Sequence, residues 1–158
     1  MIAVLISIRP KWCEKIISGE KTIEVRKTRP KLIPQFKCYI YRSVQGGVIG
    51  EFVCDHIFER IVRVGGSCEP PKYCICDWNM DCTPLDTLLA DACLTKDELE
   101  KYLDGGVGYG WHISNLRIYD HPRDLWEFAG LQRETEFGLA PRPITRPPQS
   151  WRYVEELP

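Results

Sequence analysis

The chain has 158 residues, of which 44% are hydrophobic and 27% charged, and its formal net charge is -1. This length predicts a single domain over residues 1–158, and the apolar content is sufficient for a packed core. No apolar run approaches the roughly 20 residues of a membrane span, and the N-terminus lacks a signal-peptide pattern. We therefore expect a cytoplasmic protein with no membrane partner.

Basic residues are concentrated in the N-terminal part of the chain. Residues 1–45 contain ten Lys and Arg against three Asp and Glu, a balance of +7, whereas the remainder contains eleven against nineteen, a balance of -8. A basic face beside an acidic body favours a phosphate-bearing partner. The alternative is that the opposite charges pair across the fold.

The first 28 residues predict a strand, a short helix and a second strand. Apolar residues alternate over residues 2–8, as in a strand, and Pro10 suits the first turn of a helix that Gly19 ends. The second strand is expected over residues 22–28. Its residues 23 and 25 are apolar and its residues 24 and 26 are charged, so the two sets lie on opposite faces.

The rest of the chain predicts further short strands with interspersed helices. Strands are expected over residues 36–42, 48–55, 57–64, 109–119 and 151–155, and helices from residues 83 and 95 and over residues 121–129. We interpret residues 65–100 as an insertion, turn-rich over 65–82, and residues 130–150 as irregular. The fold class is α+β: a small, mixed, mostly antiparallel β-barrel with peripheral short helices.

The strand–helix–strand unit carries the strongest candidate site. Ser7 lies in the first strand, Lys21 precedes the second strand, and Glu24 and Arg26 share one face of the second strand. Arg9 and Trp12 lie between the strands. A carboxylate beside two cations stays ionised, and it can accept hydrogen bonds from a ligand or act as a base. The alternative is an ordinary charged surface strand.

Two later segments carry weaker candidates. The glycine-rich run at residues 105–112 leads into Trp111, a possible stacking surface, and His112, but it follows a helix and precedes a strand, the reverse of a pyrophosphate-binding loop. The segment at residues 142–152 contains Gln149, Ser150 and Trp151 among prolines and arginines. An amide can read a base edge and an indole can stack on a base. A proline-rich strap over the fold is the alternative.

Four of the eight cysteines cluster as C-x5-C-x-C-x5-C: Cys68, Cys74, Cys76 and Cys82. Zinc sites more often use C-x2-C pairs. We therefore expect no metal or cofactor, and keep a zinc-stapled protein-interaction domain as an alternative. Cys13, Cys38, Cys54 and Cys93 sit in apolar patterns typical of core thiols.

The segment from Gly19 to Arg26 reads G-x-K-T-I-x-x-R and follows the run Ser7-Ile-Arg-Pro-Lys-Trp12. In this it resembles the ASCH domain, a branch of the PUA-like superfamily. Gly-Tyr-Gly-Trp-His at 108–112 and Pro-Pro-Gln-Ser-Trp at 147–151 resemble the longer ASCH proteins of phages and bacterial genomes. The resemblance covers residues 4–60, 105–120 and 145–155, and it is absent over 65–100.

The resemblance implies a PUA-like β-barrel with a helix-lined cleft that binds RNA or a modified nucleoside or nucleotide. Some smaller relatives are N4-acetylcytidine amidohydrolases that use a lysine, a threonine three residues later and a distant glutamate. Lys21 matches the lysine, but Glu24 stands at the threonine position. We therefore predict binding first. The alternative is a hydrolase, an amidohydrolase or a ribonuclease, with Glu24 as base and Lys21 as electrophile.

Overall fold

The structure is a computed structural model that describes residues 1–65, 72–76, 82–83, 85–135 and 138–158. It is a mixed α+β fold. The strands are β1 (Ile2–Ile8), β2 (Ile23–Arg26), β3 (Phe36–Arg42), β4 (Val48–Cys54), β5 (Ile57–Val64), β6 (Lys72–Cys76), β7 (Cys82–Thr83), β8 (Gly108–His112), β9 (Ser114–Arg123), β10 (Ala129–Thr135), β11 (Gly138–Pro143) and β12 (Trp151–Glu155). The helices are α1 (Pro10–Ile17), α2 (Asp86–Ala92) and α3 (Lys96–Leu103), with a 3₁₀ helix at Leu125–Glu127.

These strands pair into two sheets. The seven-stranded sheet has the order β11-β10-β12-β1-β3-β4-β9, and the five-stranded sheet has the order β2-β8-β5-β6-β7. Adjacent strands within each sheet are antiparallel, except for β1 and β3, which are parallel. Among the described strands the ladders form two open sheets, so the closed barrel is not seen in the pairing.

The predicted strand over residues 109–119 is in fact two strands. The chain leaves the five-stranded sheet after His112 and enters the seven-stranded sheet at Ser114. Between them, the backbone N–H of Ile113 donates to the carbonyl of Thr22 at 2.8 Å. Apolar residues occur on both sides of this crossing and no glycine or proline marks it, which is why one continuous strand was predicted.

Three other predictions of secondary structure need correction. The helix expected over residues 121–129 is wrong, because β9 extends to Arg123, which pairs with Val48, and only the 3₁₀ turn follows. Residues 130–150, predicted to be irregular, contain β11 and most of β10, which form a hairpin. The turn-rich stretch over residues 65–82 contains β6, which pairs with β5.

Local signals explain the N-terminal unit. Pro10 occupies the first position of α1, and Gly19, with φ of +80°, follows the helix in the left-handed region that favours glycine. The backbone N–H of Lys21 then donates to the carbonyl of Lys15 at 2.9 Å. This turn delivers the chain to β2 immediately after Lys21.

Strand β2 lies between two hydrophobic clusters. Ile23 and Val25 pack in a cluster with the apolar faces of α2 and α3, including Leu88 and Leu99. A second cluster, between β1, α1, β3 and β4, contains Trp111 from the neighbouring strand β8. The face of β2 that carries Ile23 and Val25 is therefore covered by α2 and α3. No helix in the described part of the chain is long and apolar enough to span a membrane.

Candidate functional site

The charged face of β2 forms the floor of a cleft. Lys21, Glu24 and Arg26 are only 2%, 6% and 9% exposed, so ionic groups are nearly as buried here as the core. Taking ions out of water costs several kcal/mol for each ion unless partners compensate. The desolvation cost of these three side chains is offset in part by the ion pairs between them.

Glu24 bridges the two cations. One carboxylate oxygen lies 3.3 Å from Nζ of Lys21, and the other lies 2.9 Å from Nη2 of Arg26. Nζ of Lys21 also donates to the backbone carbonyl of Ala92, at the end of α2, at 2.6 Å. The result is a row of positive, negative and positive charge, fixed at one end by α2.

Arg26 fixes the other end of the row to the C-terminal segment. Its Nη2 donates to the carbonyl of Ser7 at 2.6 Å and its Nη1 to the hydroxyl of Ser150 at 3.3 Å. The hydroxyl of Ser7 donates to the carbonyl of Pro148 at 2.6 Å, which ties that segment down. Within the described residues, the buried Nε of Arg26 has no hydrogen-bond partner.

The cleft above this row has a volume of about 870 Å³, within the range of small-molecule sites. Four parts of the chain build its walls: the start of α1, the β3–β4 hairpin, the segment from Leu94 through α3, and the C-terminal segment. Besides the floor and Ser7, it is lined by Arg9, Trp12, Val25, Tyr41, Ser43, Val44, Leu94, Glu98, Lys101, Tyr102, Pro147, Pro148, Gln149 and Ser150.

Aromatic rings stand in three of these walls. The ring of Trp12 has Nζ of Lys21 at 5.0 Å from its centroid, and that of Tyr102 has Nζ of Lys27 at 5.3 Å. Burial raises the pKa of Tyr102, so its hydroxyl stays neutral at physiological pH. Together with Tyr41 these rings offer flat apolar surfaces beside charged groups.

The lining is electropositive. Arg9, Lys21, Arg26 and Lys101 carry four positive charges, against two negative charges on Glu24 and Glu98, a balance of +2. Arg9 and Lys101 are exposed at the mouth, whereas the other two cations are on the floor. An anionic ligand would therefore be attracted by positive charge at the entrance. Inside the cleft, the negative charge of the Glu24 carboxylate is balanced by its two cationic neighbours.

Eight of the residues singled out from the sequence line this cleft. They are Ser7, Arg9, Trp12, Lys21, Glu24, Arg26, Gln149 and Ser150. The fold thus places residues 149 and 150 next to residues 7–12 and 21–26 of the N-terminal unit. Their roles toward a ligand stay predictions.

Trp111 requires a correction. It is 0% exposed and packs edge-on against Phe36 and Trp151, so it offers no surface for a base to stack on. It stands directly opposite Glu24 in the β2–β8 ladder, and directly opposed residues share a face. Trp111 is therefore a core residue that lies beside Glu24 on the same face of the sheet.

His112 and Trp151 also lie outside the cleft lining. Nδ1 of His112 is 2.6 Å from a carboxylate oxygen of Asp55, and this hydrogen bond lowers the pKa of Asp55. The indole N–H of Trp151 donates to the hydroxyl of Thr28 at 3.0 Å, and its ring contacts Tyr153. Neither residue lines the cleft, and a role of either one toward a ligand stays a prediction.

Sequence reasoning missed the wall supplied by α3. Glu98 lies at the end of the segment interpreted as an insertion, and Lys101 and Tyr102 follow directly after it. All three line the cleft. The helix was predicted from its capping box, in which the hydroxyl of Thr95 accepts from the N–H of Glu98 at 3.1 Å. The polar face of that amphipathic helix was the available signal.

No thiol of the described residues lines the cleft. Burial raises the pKa of Cys13 to about 11 and that of Cys54 to about 12, so both stay protonated at neutral pH. Of the clustered cysteines, Cys74 and Cys76 lie in β6 and Cys82 in β7, and Cys68 lies outside the described residues. The described side chains include no group of three or more metal-ligating residues.

Comparisons with known proteins bear on the fold. No family model and no curated protein matches the chain. Among solved structures, the ASCH protein from Zymomonas mobilis is similar, with a TM-score of 0.65 and 19% identity over 98% of this chain and 88% of that one. A tyrosine-to-phenylalanine variant of the Zymomonas protein matches with a TM-score of 0.62, again at 19% identity, over 98% and 91% of the two chains.

The similarity spans nearly the whole chain. At this identity it establishes the fold and leaves the ligand and activity open. The family resemblance in Gly19–Arg26 and the three-dimensional similarity agree. The chain therefore has the fold of the ASCH proteins, as the sequence predicted.

Proposed function

We propose that the cleft binds a nucleobase, presented either by single-stranded RNA or by a nucleoside or nucleotide. The observation that carries the proposal is the buried row of Lys21, Glu24 and Arg26 on the floor of an open, aromatic-walled cleft. The stability of the fold does not require buried ions, since apolar side chains of similar volume often serve as well or better. Binding of a ligand by these buried ionic groups would account for their presence on the floor of the cleft.

The unfilled hydrogen-bonding capacity of the row matches the edge of a base. A carboxylate offers about four acceptor positions, and Lys21 and Arg26 occupy part of those on Glu24. The buried Nε of Arg26 is a donor with no partner among the described residues. A nucleobase edge presents a donor and an acceptor side by side, which complements a carboxylate next to a guanidinium.

The walls and the mouth suit the remainder of a nucleotide. Single-stranded RNA is recognised by stacking of splayed bases on aromatic rings and by cations that contact the backbone. Trp12, Tyr41 and Tyr102 are the rings of the lining, and Arg9 and Lys101 are the exposed cations at its mouth. The fold of the ASCH proteins agrees with this proposal.

Fluorescence anisotropy with a labelled single-stranded RNA tests it directly. We expect saturable binding at low salt that weakens as salt rises, because phosphate contacts release counterions. Lys21→Met, which keeps an apolar stem in the buried position, should weaken binding at least tenfold. Lys101→Met should weaken it less and reduce the salt slope by about one.

Lys31→Met is the matched control, because Lys31 is exposed and lies outside the cleft lining while the substitution removes the same charge. It should bind like wild type. Competition with free nucleosides distinguishes a base-binding cleft from a surface that only attracts phosphate. Absence of binding at low salt, or equal affinity of Lys21→Met and wild type, would contradict the proposal.

The second candidate is a hydrolase at the same site. The observation that favours it is that Nζ of Lys21 lies 3.3 Å from a Glu24 oxygen, which places a potential base and a cation side by side in a cleft. Glu24 would accept a proton from water while Lys21 or Arg26 stabilises the developing oxyanion. The amidohydrolases resembled in sequence have threonine where this chain has Glu24, so such chemistry would depend on the carboxylate.

Chromatography after incubation with N4-acetylcytidine and with single-stranded RNA tests this second candidate. Turnover by wild type that is lost in Glu24→Gln, with RNA binding retained, would establish Glu24 as the base. If wild type leaves both substrates intact, hydrolysis of these two substrates is excluded.

A further inference from the structure

The carboxylate of Glu24 keeps two hydrogen-bond acceptor positions free, one on each oxygen. A carboxylate has about four such positions, shared equally between its two oxygens. Lys21 contacts one oxygen at 3.3 Å and Arg26 contacts the other at 2.9 Å. Within the described part of the chain, no further donor contacts this carboxylate. Two neighbouring acceptors on the floor of the cleft are therefore left for a ligand.

The cations on either side of this carboxylate keep free donors as well. Nζ of Lys21 has three protons, of which one is donated to the carbonyl of Ala92 at 2.6 Å and one faces Glu24. Nη1 of Arg26 has two protons and donates one to the hydroxyl of Ser150 at 3.3 Å. Among the described residues, each of these groups therefore has one proton left. The floor thus presents two adjacent acceptors with a cationic donor on either side.

Guanine is the RNA base whose Watson–Crick edge complements this order. Its exocyclic N2 amine and its N1–H are two donors side by side, and O6 follows N1 as an acceptor. Adenine and cytosine present an amine beside ring acceptors, and uracil presents one N–H between two carbonyls. Guanine therefore fills both free acceptors of Glu24 and directs O6 toward one of the two cations. Each of the other bases leaves one of the acceptors unfilled.

We propose that the cleft selects guanine, with the two oxygens of Glu24 accepting from N1–H and the N2 amine and with Lys21 or Arg26 donating to O6. The inference rests on the base-binding function proposed above and adds the identity of the base. The walls suit a purine. The ring centroid of Trp12 lies 5.0 Å from Nζ of Lys21, so an aromatic surface for stacking stands beside the row, and the cleft has a volume of about 870 Å³.

The two acceptors of Glu24 carry the selectivity, so Glu24→Gln should change the preferred base. Glutamine has nearly the same shape as glutamate, but its amide offers one acceptor group and one donor group. The donor of the amide would oppose a donor of guanine. Xanthine has a carbonyl oxygen in place of the N2 amine, so its edge complements an amide. The substitution should therefore shift the preference of the cleft from guanosine toward xanthosine.

Competition between nucleosides and a labelled single-stranded RNA, followed by fluorescence anisotropy of the full chain, tests the proposal. We expect guanosine to compete about tenfold better than adenosine, cytidine or uridine, since a good bidentate contact to a base edge discriminates by at least that order. Inosine, which lacks only the N2 amine, should compete about fivefold more weakly than guanosine. In Glu24→Gln the ratio of guanosine affinity to xanthosine affinity should fall at least tenfold.

Two further competitors distinguish the sources of the base. Stronger competition by guanosine monophosphate than by an oligouridine with a single guanosine would support a free nucleotide as the ligand. The reverse order would support RNA, because neighbouring nucleotides then add contacts to the rings and cations of the walls. Both orders require guanine selectivity.

The matched control is Glu14→Gln, because Glu14 is exposed on α1 and lies outside the cleft lining, while the substitution removes the same charge. It should keep the preference of wild type. If guanosine and inosine, or guanosine and adenosine, compete equally for wild type, the selectivity is wrong although base binding stands, whether or not Glu24→Gln folds. An unchanged ratio in folded Glu24→Gln would also overturn it. Absence of binding by RNA and by every nucleoside would overturn the proposed function together with this inference.

Discussion

Strand β2 buries hydrocarbon on one face and ions on the other. Ile23 and Val25 are 2% and 5% exposed beneath α2 and α3, and Glu24 and Arg26 are 6% and 9% exposed on the floor of the cleft. The backbone, the strand partner and the degree of burial are nearly the same on both faces. The comparison therefore isolates the chemistry of the side chains.

The two faces contribute differently to stability. Burial of an aliphatic side chain contributes roughly 1.5–3 kcal/mol, mainly through removal of apolar surface from water. A buried ion pair contributes little net stability because desolvation offsets attraction, yet loss of one partner leaves an uncompensated charge. The apolar face therefore contributes most of the stability that β2 supplies. The ionic face adds little net stability, and its polar groups are available to bind a ligand.

Glu24→Ala should have the largest effect. It leaves Lys21 and Arg26 as buried like charges without their shared counter-ion, and we expect a loss of about 3–5 kcal/mol in the free energy of unfolding. Urea denaturation followed by circular dichroism measures it. A loss below about 1 kcal/mol would mean that water already solvates the row.

Ile23→Ala sharpens the contrast from the apolar face. We expect a loss of about 3 kcal/mol in the free energy of unfolding, because the substitution leaves a cavity beneath α2 and α3. RNA affinity of the folded protein should stay close to wild type, since Ile23 does not line the cleft. Denaturation and anisotropy on the same preparation check both expectations. A large loss of affinity at retained folding would couple the two faces and contradict their separation.

Thr95→Ala tests the wall that α3 supplies. It removes the capping box and should cost about 1 kcal/mol in the free energy of unfolding. RNA binding should weaken only slightly, because Lys101 and Tyr102 stay on the helix. Thr22→Ala serves as a comparison, since Thr22 precedes β2 and lies outside the lining. If capping is unimportant, the two variants will unfold alike at every urea concentration.

The pair of Asp55 and His112 provides the smallest expected effect and an exposed counterpart to the buried row. Its hydrogen bond lowers the pKa of Asp55, so its contribution is present above the usual aspartate pKa of about 4 and is lost as pH falls through the lowered value. His112→Gln should cost less than about 1 kcal/mol at pH 7. The difference from wild type, followed by thermal unfolding, should shrink below about pH 4. A difference that grows on acidification would contradict this assignment.

Local pattern was enough to predict the N-terminal unit and the charged floor. Alternation fixed β1, Pro10 and Gly19 bounded α1, and the order of residues 23–26 placed Glu24 and Arg26 on one face. The strand alternation of β8 likewise placed Trp111 on a defined face. It could not show that the cluster around Phe36 would cover that face and bury the indole.

The remaining walls depend on contacts between distant segments. Ser150 meets Arg26 across 124 residues, and Lys11 meets Glu98 across 87. Neither pairing has a local signature in the sequence. The hairpin of β10 and β11 was missed for a related reason, because prolines and arginines obscure its alternation. Tertiary packing decided these parts, so the sequence supplied candidates without their arrangement.

The triple variant Lys21→Met, Glu24→Leu and Arg26→Met, assayed for unfolding and for RNA binding in one preparation, tests most directly whether the ionic face of β2 is the binding site. We expect a free energy of unfolding within about 2 kcal/mol of wild type, and above that of Glu24→Ala alone, because no buried charge is left unpaired. RNA binding should be lost. A triple variant that is folded and still binds RNA as wild type does would contradict the claim that the ionic face of β2 is the binding site.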